Sequence, residues 1–125
     1  MDTLKKRTGR LALLALAVVL FALPGLASAA TYYVSTTGND LTGDGSSGNP
    51  WKTITHAAAT VPAGSAGAPN VISVAAGTYN NTINGETFPI TFTRNFVSLT
   101  GAGAATTIIN AENLNNTLNV DANGF

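Results

Sequence analysis

Short runs of β-branched and aromatic residues, separated by Gly, Asn and Pro, dominate the chain from residue 31 onward. The first run, TYYVS at 31–35, borders a cluster of Gly, Asn and Asp and therefore predicts a strand. After Pro69 the runs are only two to five residues long, and Gly, Asn or Pro punctuates the gaps between them. Further strands are predicted at 71–74, 82–83, 89–93, 96–100, 106–109 and 117–120. No helix is predicted after Pro62.

One stretch has the periodicity of a helix instead. Four apolar residues recur with the spacing of a single helix face: Ile54, Ala57, Ala58 and Val61. Asn49 is a suitable N-cap, Pro50 suits the first turn, and Pro62 stops the segment. We therefore predict a helix over residues 51–60 that Trp51 anchors. The apolar face of this helix is expected to cover one end of the core.

The strand runs recur with a period in the twenties. The triplets ISV at 72–74, VSL at 97–99 and LNV at 118–120 begin 25 and 21 residues apart. Such a period, with several short strands in each repeat, is typical of a solenoid whose coils stack to bury their apolar sides, here a parallel β-helix. A small β-sandwich is the alternative, but the alternation of apolar and polar residues is weak. The predicted inward-facing residues are Val71, either Ile72 or Val74, Val97, Leu99, Ile108, Leu118 and Val120, with Asn110 and Asn119 at corners.

The first thirty residues have the layout of a secretory signal peptide. A basic start is followed by a thirteen-residue apolar run at 11–23 and by a small-x-small cleavage site at 27–29. Thirteen residues are too few to cross ~30 Å of hydrocarbon as a helix. We therefore predict that residues 1–30 are removed and that the mature chain is secreted: extracellular, at the cell surface or periplasmic, without membrane attachment. The absence of cysteine excludes a lipoprotein anchor and disulfides.

Removing this leader changes the charge of the chain. The whole sequence has a formal net charge of zero, but from Thr31 onward two cations, Lys52 and Arg94, face five acids, which gives −3. A mildly acidic chain with two cations has little attraction for phosphate backbones, so nucleic acid is not an expected partner. Eleven Asn between positions 70 and 123 predict many tight turns, because Asn tolerates the left-handed backbone region.

Five short motifs in a fixed order carry a resemblance to a known group of proteins. They are YVS at 33–35, GND at 38–40, PWKTI at 50–54, AGTY at 76–79 and GAG at 101–103. In this order the chain resembles the N-terminal region of secreted right-handed parallel β-helix (pectate-lyase-like) proteins, including a bacterial domain of unknown function that precedes such helices. The resemblance implies an all-β fold: the first two to three coils of such a helix, with an N-terminal strand and a short capping helix. It implies no single activity, because that superfamily contains lyases, hydrolases, epimerases, adhesins and inert stalks.

The loop at 40–45 (DLTGDG) partly imitates a calcium-binding loop. Oxygen-bearing residues occupy the first, third and fifth positions and a glycine the sixth, but Trp51 stands at the twelfth, where a bidentate acid is needed. We favour a turn in which Asp40 and Asp44 accept hydrogen bonds from backbone N–H groups. A weak structural calcium at Asp40 and Asp44 is the alternative.

The remaining candidates predict no site. His56 is the only histidine and there is no cysteine, so we interpret it as a half-buried capping residue and not as a zinc ligand. The stretch AGSAG at 63–67 lacks the first glycine of a nucleophile elbow. The stretch GAGAAT at 101–106 lacks the third glycine of a dinucleotide-binding fingerprint and runs into a predicted strand, so we predict a corner turn.

The resemblance also raises the question of lyase chemistry. In pectate lyases, clustered acids hold calcium against the substrate carboxylate and a nearby cation removes a proton. Here Glu86, Glu112 and Asp121 are single and well separated, and Arg94 is the only cation in the strand region. We therefore predict no catalytic, cofactor-binding or metal-binding residue.

Together these patterns divide the chain into a signal peptide (1–30), an N-terminal cap (31–62) and the start of a parallel β-helix (63–125). The repeat covers about two and a half coils and shows no terminal cap, so we expect a fragment that lacks further coils of the same protein. The predicted function is the non-catalytic N-terminal portion of a secreted β-helix protein that binds or processes polysaccharide. A structural or adhesive surface stalk and an inert fragment are the alternatives. A full-length relative would be a polysaccharide lyase or a glycoside hydrolase in the first case.

Overall fold

The computed structural model describes residues 28–113 and 118–120. All but the last three positions of the predicted signal peptide lie outside this range, so the leader stays a prediction. Within the described ranges the chain is mostly short strands: β1 (Thr31–Val34), β2 (Asn70–Val74), β3 (Gly77–Tyr79), β4 (Ile90–Phe92), β5 (Val97–Gly101), β6 (Thr107–Ile109) and β7 (Leu118–Val120). The two helices are α1 (Ile54–Thr60) and α2 (Asn81–Asn84). Neither helix of the described part has the length and apolar character needed to cross a membrane.

The strands form three separate sheets, and every strand pair in the described ranges is parallel. The first sheet has the order β1-β2-β5, the second pairs β3 with β6, and the third pairs β4 with β7. None of these sheets closes into a barrel. The arrangement agrees with the predicted all-β class, because β-branched residues in runs of three to five favour pleated, half-buried backbone.

The pairing corrects the predicted repeat. The strand pairs β2–β5, β3–β6 and β4–β7 join residues that are 27, 30 and 28 positions apart, as in Ile72–Leu99, Gly77–Thr107 and Ile90–Leu118. Partners in β1 and β2 are 40 positions apart. The triplet at 118–120 pairs with β4, so its assignment as a third copy of ISV and VSL is wrong. The three similar triplets thus fall in two different sheets, and the lengths of the intervening turns decide which strands become neighbours.

Six of the predicted strands are present, with ends within one residue of those predicted. The seventh, at 82–83, is wrong, as is the expected absence of helix after Pro62, because α2 occupies this position. The Asn80 side chain accepts a hydrogen bond from the Ile83 N–H at 2.7 Å, and Gly85 ends the helix with a φ of 78°. Asn and Gly therefore cap a single helical turn where the β-branched residues alone suggested a strand.

Helix α1 begins three residues later than predicted. The backbone of Trp51 pairs with β1 instead: its N–H donates to the Tyr33 carbonyl at 3.1 Å and its carbonyl accepts the Ser35 N–H at 2.9 Å. Residue 51 is therefore extended, and Thr53 becomes the N-cap in place of the predicted Asn49. The two prolines do not set the start of the helix.

The core lies between α1 and the inner faces of the strands. The predicted helix face is confirmed, because its four residues, Ile54, Ala57, Ala58 and Val61, are all buried, and α1 packs against β4. The buried hydrophobic residues of the strands are Val34, Ile72, Val74, Tyr79, Ile90, Phe92 and Val97.

Two predicted core residues face outward. Ile108 is 46% exposed, because its neighbour Ile109 packs against the core and successive strand residues point to opposite faces. Leu118 is 49% exposed on β7, the outermost described strand of the third sheet. Leu99 packs against the core as predicted, whereas Val71 is only partly covered. The side chain of Val120 and the predicted corner residue Asn119 lie outside the described side chains.

Candidate functional site

Two acids hold the loop between β1 and α1 in place. The Asp40 Oδ1 accepts the N–H groups of Lys52 at 2.7 Å and Thr53 at 3.1 Å, and its Oδ2 accepts the Thr53 hydroxyl at 2.8 Å. The Asp44 Oδ1 accepts the Ser46 N–H at 2.9 Å. Hydrogen bonding from the Ser46 hydroxyl, and then from its backbone N–H, lowers the pKa of Asp44. The interpretation of both acids as caps of backbone N–H groups is thus confirmed.

The calcium alternative stays a prediction without a matching ligand set. Across the described ranges, no three side chains of His, Cys, Asp or Glu come together as a metal would need. Both oxygens of Asp40 already accept hydrogen bonds from the protein. The twelfth loop position is filled by a buried indole, whose Nε1 donates to the Gly43 carbonyl at 3.0 Å.

Trp51 fixes this loop to the start of α1. Its indole is 4% exposed and stacks on Tyr32, with ring centroids 5.7 Å apart and planes 8° from parallel. Gly45 has a φ of 77°, and a Cβ there would lie 2.7 Å from the indole, so the loop backbone closes directly over the ring. His56 lies 5.5 Å from the indole, half-buried as predicted. The predicted anchoring role of Trp51 is therefore confirmed.

The carboxylate of Glu86 supplies two acceptors for the first turn of α1, a role that its sequence position did not predict. Glu86 is fully buried, and its Oε2 and Oε1 accept the N–H groups of Ile54 at 2.9 Å and Thr55 at 2.7 Å. The Asn84 amide donates to the Lys52 carbonyl at 3.2 Å and lies 3.5 Å from Oε2. A carboxylate at a helix N-terminus meets both unpaired N–H groups and the positive end of the helix dipole.

The capping role of Glu86 was not predicted, because local capping motifs span three residues whereas Glu86 lies 32 positions beyond Ile54. Its role is structural, since both oxygens are occupied by backbone donors. The structure does not bring it to Glu112, which accepts the Thr82 N–H at 3.3 Å in an exposed contact. Asp121 lies outside the described residues.

Both glycine-rich stretches form turns. Ser65 and Ala68 exchange two backbone hydrogen bonds of 3.1 and 3.0 Å in a tight reversal. The Gly103 carbonyl accepts the N–H groups of Thr106 at 3.1 Å and Thr107 at 2.9 Å between β5 and β6, which confirms a turn at this position.

An open groove of about 430 Å³ lies beside the C-terminal end of β1. Its polar and ring-bearing lining residues are Tyr33, Ser35, Thr37, Ser47, Pro50 and Ser73. Four hydroxyl side chains, an exposed tyrosine and no charged group therefore surround this space. A second cavity, of about 280 Å³ under the corner between β5 and β6, is lined mainly by aliphatic residues and glycines, with Thr107 as its polar side chain. The first groove has the better chemistry for a polar ligand, because small pockets with a few convergent polar groups give specificity.

Comparison with known proteins gives a family match. The sequence profile of a family described as "Protein of unknown function (DUF1565)" matches residues 36–118, a range that takes in the entry loop, both helices and Glu86. Neither the curated proteins nor the solved structures gave a match. The resemblance to a domain of unknown function is thus confirmed at the level of the family. Because the match covers about two thirds of the sequence, the chain belongs to the DUF1565 family of proteins of unknown function.

Proposed function

We propose that this chain is the N-terminal, non-catalytic portion of a secreted, pectate-lyase-like protein with a right-handed parallel β-helix, and that it binds polysaccharide. The observation that carries the proposal is the parallel pairing of β2, β3 and β4 with β5, β6 and β7, at offsets of 27, 30 and 28 residues.

The order of the strands supports winding in coils. Going along the chain, β2, β3 and β4 belong to the first, second and third sheet, and β5, β6 and β7 visit the three sheets in the same order. Two successive circuits with parallel neighbours are what a β-helix requires, and crossovers between parallel strands are almost always right-handed. Helix α1, packed against β4 with contacts to β1 and β2, would then be the cap over one end.

Disulfide trapping tests this winding, since the chain has no cysteine of its own. One cysteine pair is placed in each sheet at a register pair: Ser73 with Thr100, Thr78 with Ile108 and Thr91 with Asn119. Neighbouring strands are about 4.8 Å apart, inside the Cα separation that a disulfide accepts. All three bonds should form in one molecule on mild oxidation, as measured by thiol titration and mass spectrometry.

The matched control pairs Ser73 with Ser98, which lies on the same strand as Thr100 but two residues out of register. This pair should stay reduced, because a diagonal separation of about 7–8 Å is too long for a disulfide. Equal bonding of the control pair, or failure in any one sheet, would rule out the proposed coils.

The groove beside β1 supports the binding part of the proposal. Hydroxyl groups that both donate and accept, next to an aromatic ring, suit the hydroxyls and the apolar ring faces of sugars. The test is affinity electrophoresis of the purified chain in gels that contain pectin, alginate or neutral glucans and galactans. Retardation by one of these polymers is expected, whereas migration unchanged by all of them would contradict polysaccharide binding and favour the structural stalk.

The non-catalytic part of the proposal rests on the separate placement of the acids. Glu86 is fully used as a helix cap, and Asp40 and Asp44 hold backbone N–H groups of the entry loop. No release of unsaturated uronate from pectin or alginate is expected, with or without calcium. Clear release of unsaturated uronate, measured by its ultraviolet absorbance, would contradict the non-catalytic part of the proposal.

Export is tested by expressing the full sequence and sequencing the N-terminus of the product outside the inner membrane. Cleavage after 27–29 is expected, because small residues at those positions follow the apolar run. An intact leader on a product that stays in the cytoplasm would contradict secretion.

A further inference from the structure

The groove beside β1 carries a more specific inference about its ligand, which rests on the proposed function. It lies on the outer face of the first sheet, where the register places Tyr33 beside Ser73, and Ser73 beside Thr100. Tyr33 is 37% exposed, while the ring of its neighbour Tyr32 stacks on the buried indole of Trp51. Tyr33 is therefore the aromatic ring that this face offers to a ligand.

We infer that the groove binds a segment of uncharged polysaccharide, with a sugar ring against Tyr33 and sugar hydroxyls on Ser73 and Ser47, and that it rejects polyuronates.

The hydroxyl inventory supports an uncharged, hydroxyl-rich ligand. Ser35 and Thr37 are joined by a 3.0 Å hydrogen bond between their side chains. The side-chain hydroxyls of Ser47 and Ser73 make no hydrogen bond to any other described residue, although both line the groove. Free hydroxyls that serve as donor and acceptor at once match sugar hydroxyls, which do the same.

The charge distribution argues against uronate chains. Binding a carboxylate in a recessed site needs a compensating cation or strong donors, and Arg or Lys supplies them in most anion sites. Neither Lys52 nor Arg94, the two cations after Thr31, lines the groove. The formal charge of −3 from Thr31 onward adds a repulsive background toward a polyanion.

The geometry of the sheet suggests how a chain of sugars would lie. Tyr33, Ser73 and Thr100 stand on three successive parallel strands. Strands in a sheet are about 4.8 Å apart, which is close to the length of one pyranose unit in an extended polysaccharide. A glycan that crosses the strands at right angles can therefore place one unit over each of these side chains.

The test compares neutral and acidic polymers by affinity electrophoresis of the full chain at low and high salt. Retardation by a neutral glucan, galactan or xylan, unchanged by salt, is expected, together with no retardation by polygalacturonate or alginate. Tyr33→Ala should weaken neutral binding about tenfold through the lost stacking, while Tyr33→Phe keeps it. Leu41→Ala is the control, because this residue is 96% exposed and does not line the groove.

Adding one positive charge to the groove sharpens the test. Ser73→Lys should create salt-sensitive binding to polygalacturonate, because it puts a cation beside Tyr33. Trp51 fluorescence checks that each variant is folded, as the indole is buried away from the groove.

Three outcomes separate the two levels of the proposal. Stronger, salt-sensitive binding of the unmodified chain to polyuronates overturns this inference and leaves the proposed function standing. If neutral polysaccharide binds and neither Tyr33→Ala nor Ser73→Lys changes that binding, only the assignment of the binding site to this groove is overturned. Binding to neither class of polymer removes the proposed function and this inference with it.

Discussion

Replacing the buried Glu86 by Gln tests whether this carboxylate holds the first turn of α1. The change keeps the size of the side chain but turns one carboxylate oxygen into an NH₂ group. Both oxygens accept backbone N–H groups, at 2.9 Å from Ile54 and 2.7 Å from Thr55. One of these buried donors must therefore lose its acceptor, whichever way the amide is turned.

The expected loss in free energy of unfolding follows from two contributions. An unsatisfied buried N–H costs about 1–3 kcal/mol, and the remaining hydrogen bond loses its charged acceptor, which is worth about 1 kcal/mol more. We expect Glu86→Gln to lower the stability by about 2–4 kcal/mol, a large part of the roughly 5–15 kcal/mol of an ordinary domain. Glu86→Ala should lower it further, because both donors are then unpaired.

Urea unfolding followed by tryptophan fluorescence measures this loss. Trp51 is the only tryptophan, and its burial makes its emission sensitive to unfolding. The matched control is Glu112→Gln, since Glu112 makes one exposed 3.3 Å hydrogen bond and the change should cost less than about 0.5 kcal/mol. If the two variants unfold at the same urea concentration with equal slopes, the capping role assigned to Glu86 is refuted.

Three further predictions concern the loop and the core. Gly45→Ala should destabilise the chain by about 2–4 kcal/mol in the same urea assay, because Gly45 has a φ of 77° and the new Cβ would contact the indole. The control Gly48→Ala should change stability by less than about 0.5 kcal/mol, because a Cβ there has open space. Burial raises the pKa of Tyr79, so the folded state keeps a proton that the unfolded state releases above about pH 10. The free energy of unfolding should therefore fall as the pH rises above about 10. Tyr79→Phe should reduce this fall, as measured by urea midpoints from about pH 8 to about pH 11. Asp40→Ala should cost about 2 kcal/mol through lost caps, while EDTA should leave the melting temperature unchanged; a drop with EDTA that calcium restores would support the metal alternative.

Local signals in the sequence predicted most elements but not how they pair. The β-branched runs gave six strands, and the apolar spacing gave the buried face of α1, because both depend on neighbours only a few residues away. The partner of β7 depends on the lengths of all the turns before it, and three similar apolar triplets do not distinguish the sheets. The start of α1 was misplaced because the backbone of Trp51 is paired with β1, a contact that prolines at 50 and 62 do not reveal.

The candidate site divides in the same way. The capping role of Asp40 followed from its place in a turn-rich loop, and the groups that donate hydrogen bonds to its carboxylate lie within 13 positions. Glu86 had no local signal, since its partners Ile54 and Thr55 lie 32 and 31 positions earlier in the chain and a single buried acid has no motif. The groove at Tyr33 combines residues of β1, the entry loop and β2, so it exists only once the strands are paired.

The distance in sequence between Glu86 and the helix it caps also sets an order of assembly in time. A helix of seven residues does not persist alone, and α1 obtains two of its N-terminal acceptors only from a residue 32 positions beyond Ile54. At a synthesis rate of about 5–20 residues per second, Ile54 emerges roughly 2–6 s before Glu86 does. The helix that is made first is therefore capped second, when the segment at Glu86 reaches back to it, and until then two N–H groups of its first turn lack these acceptors.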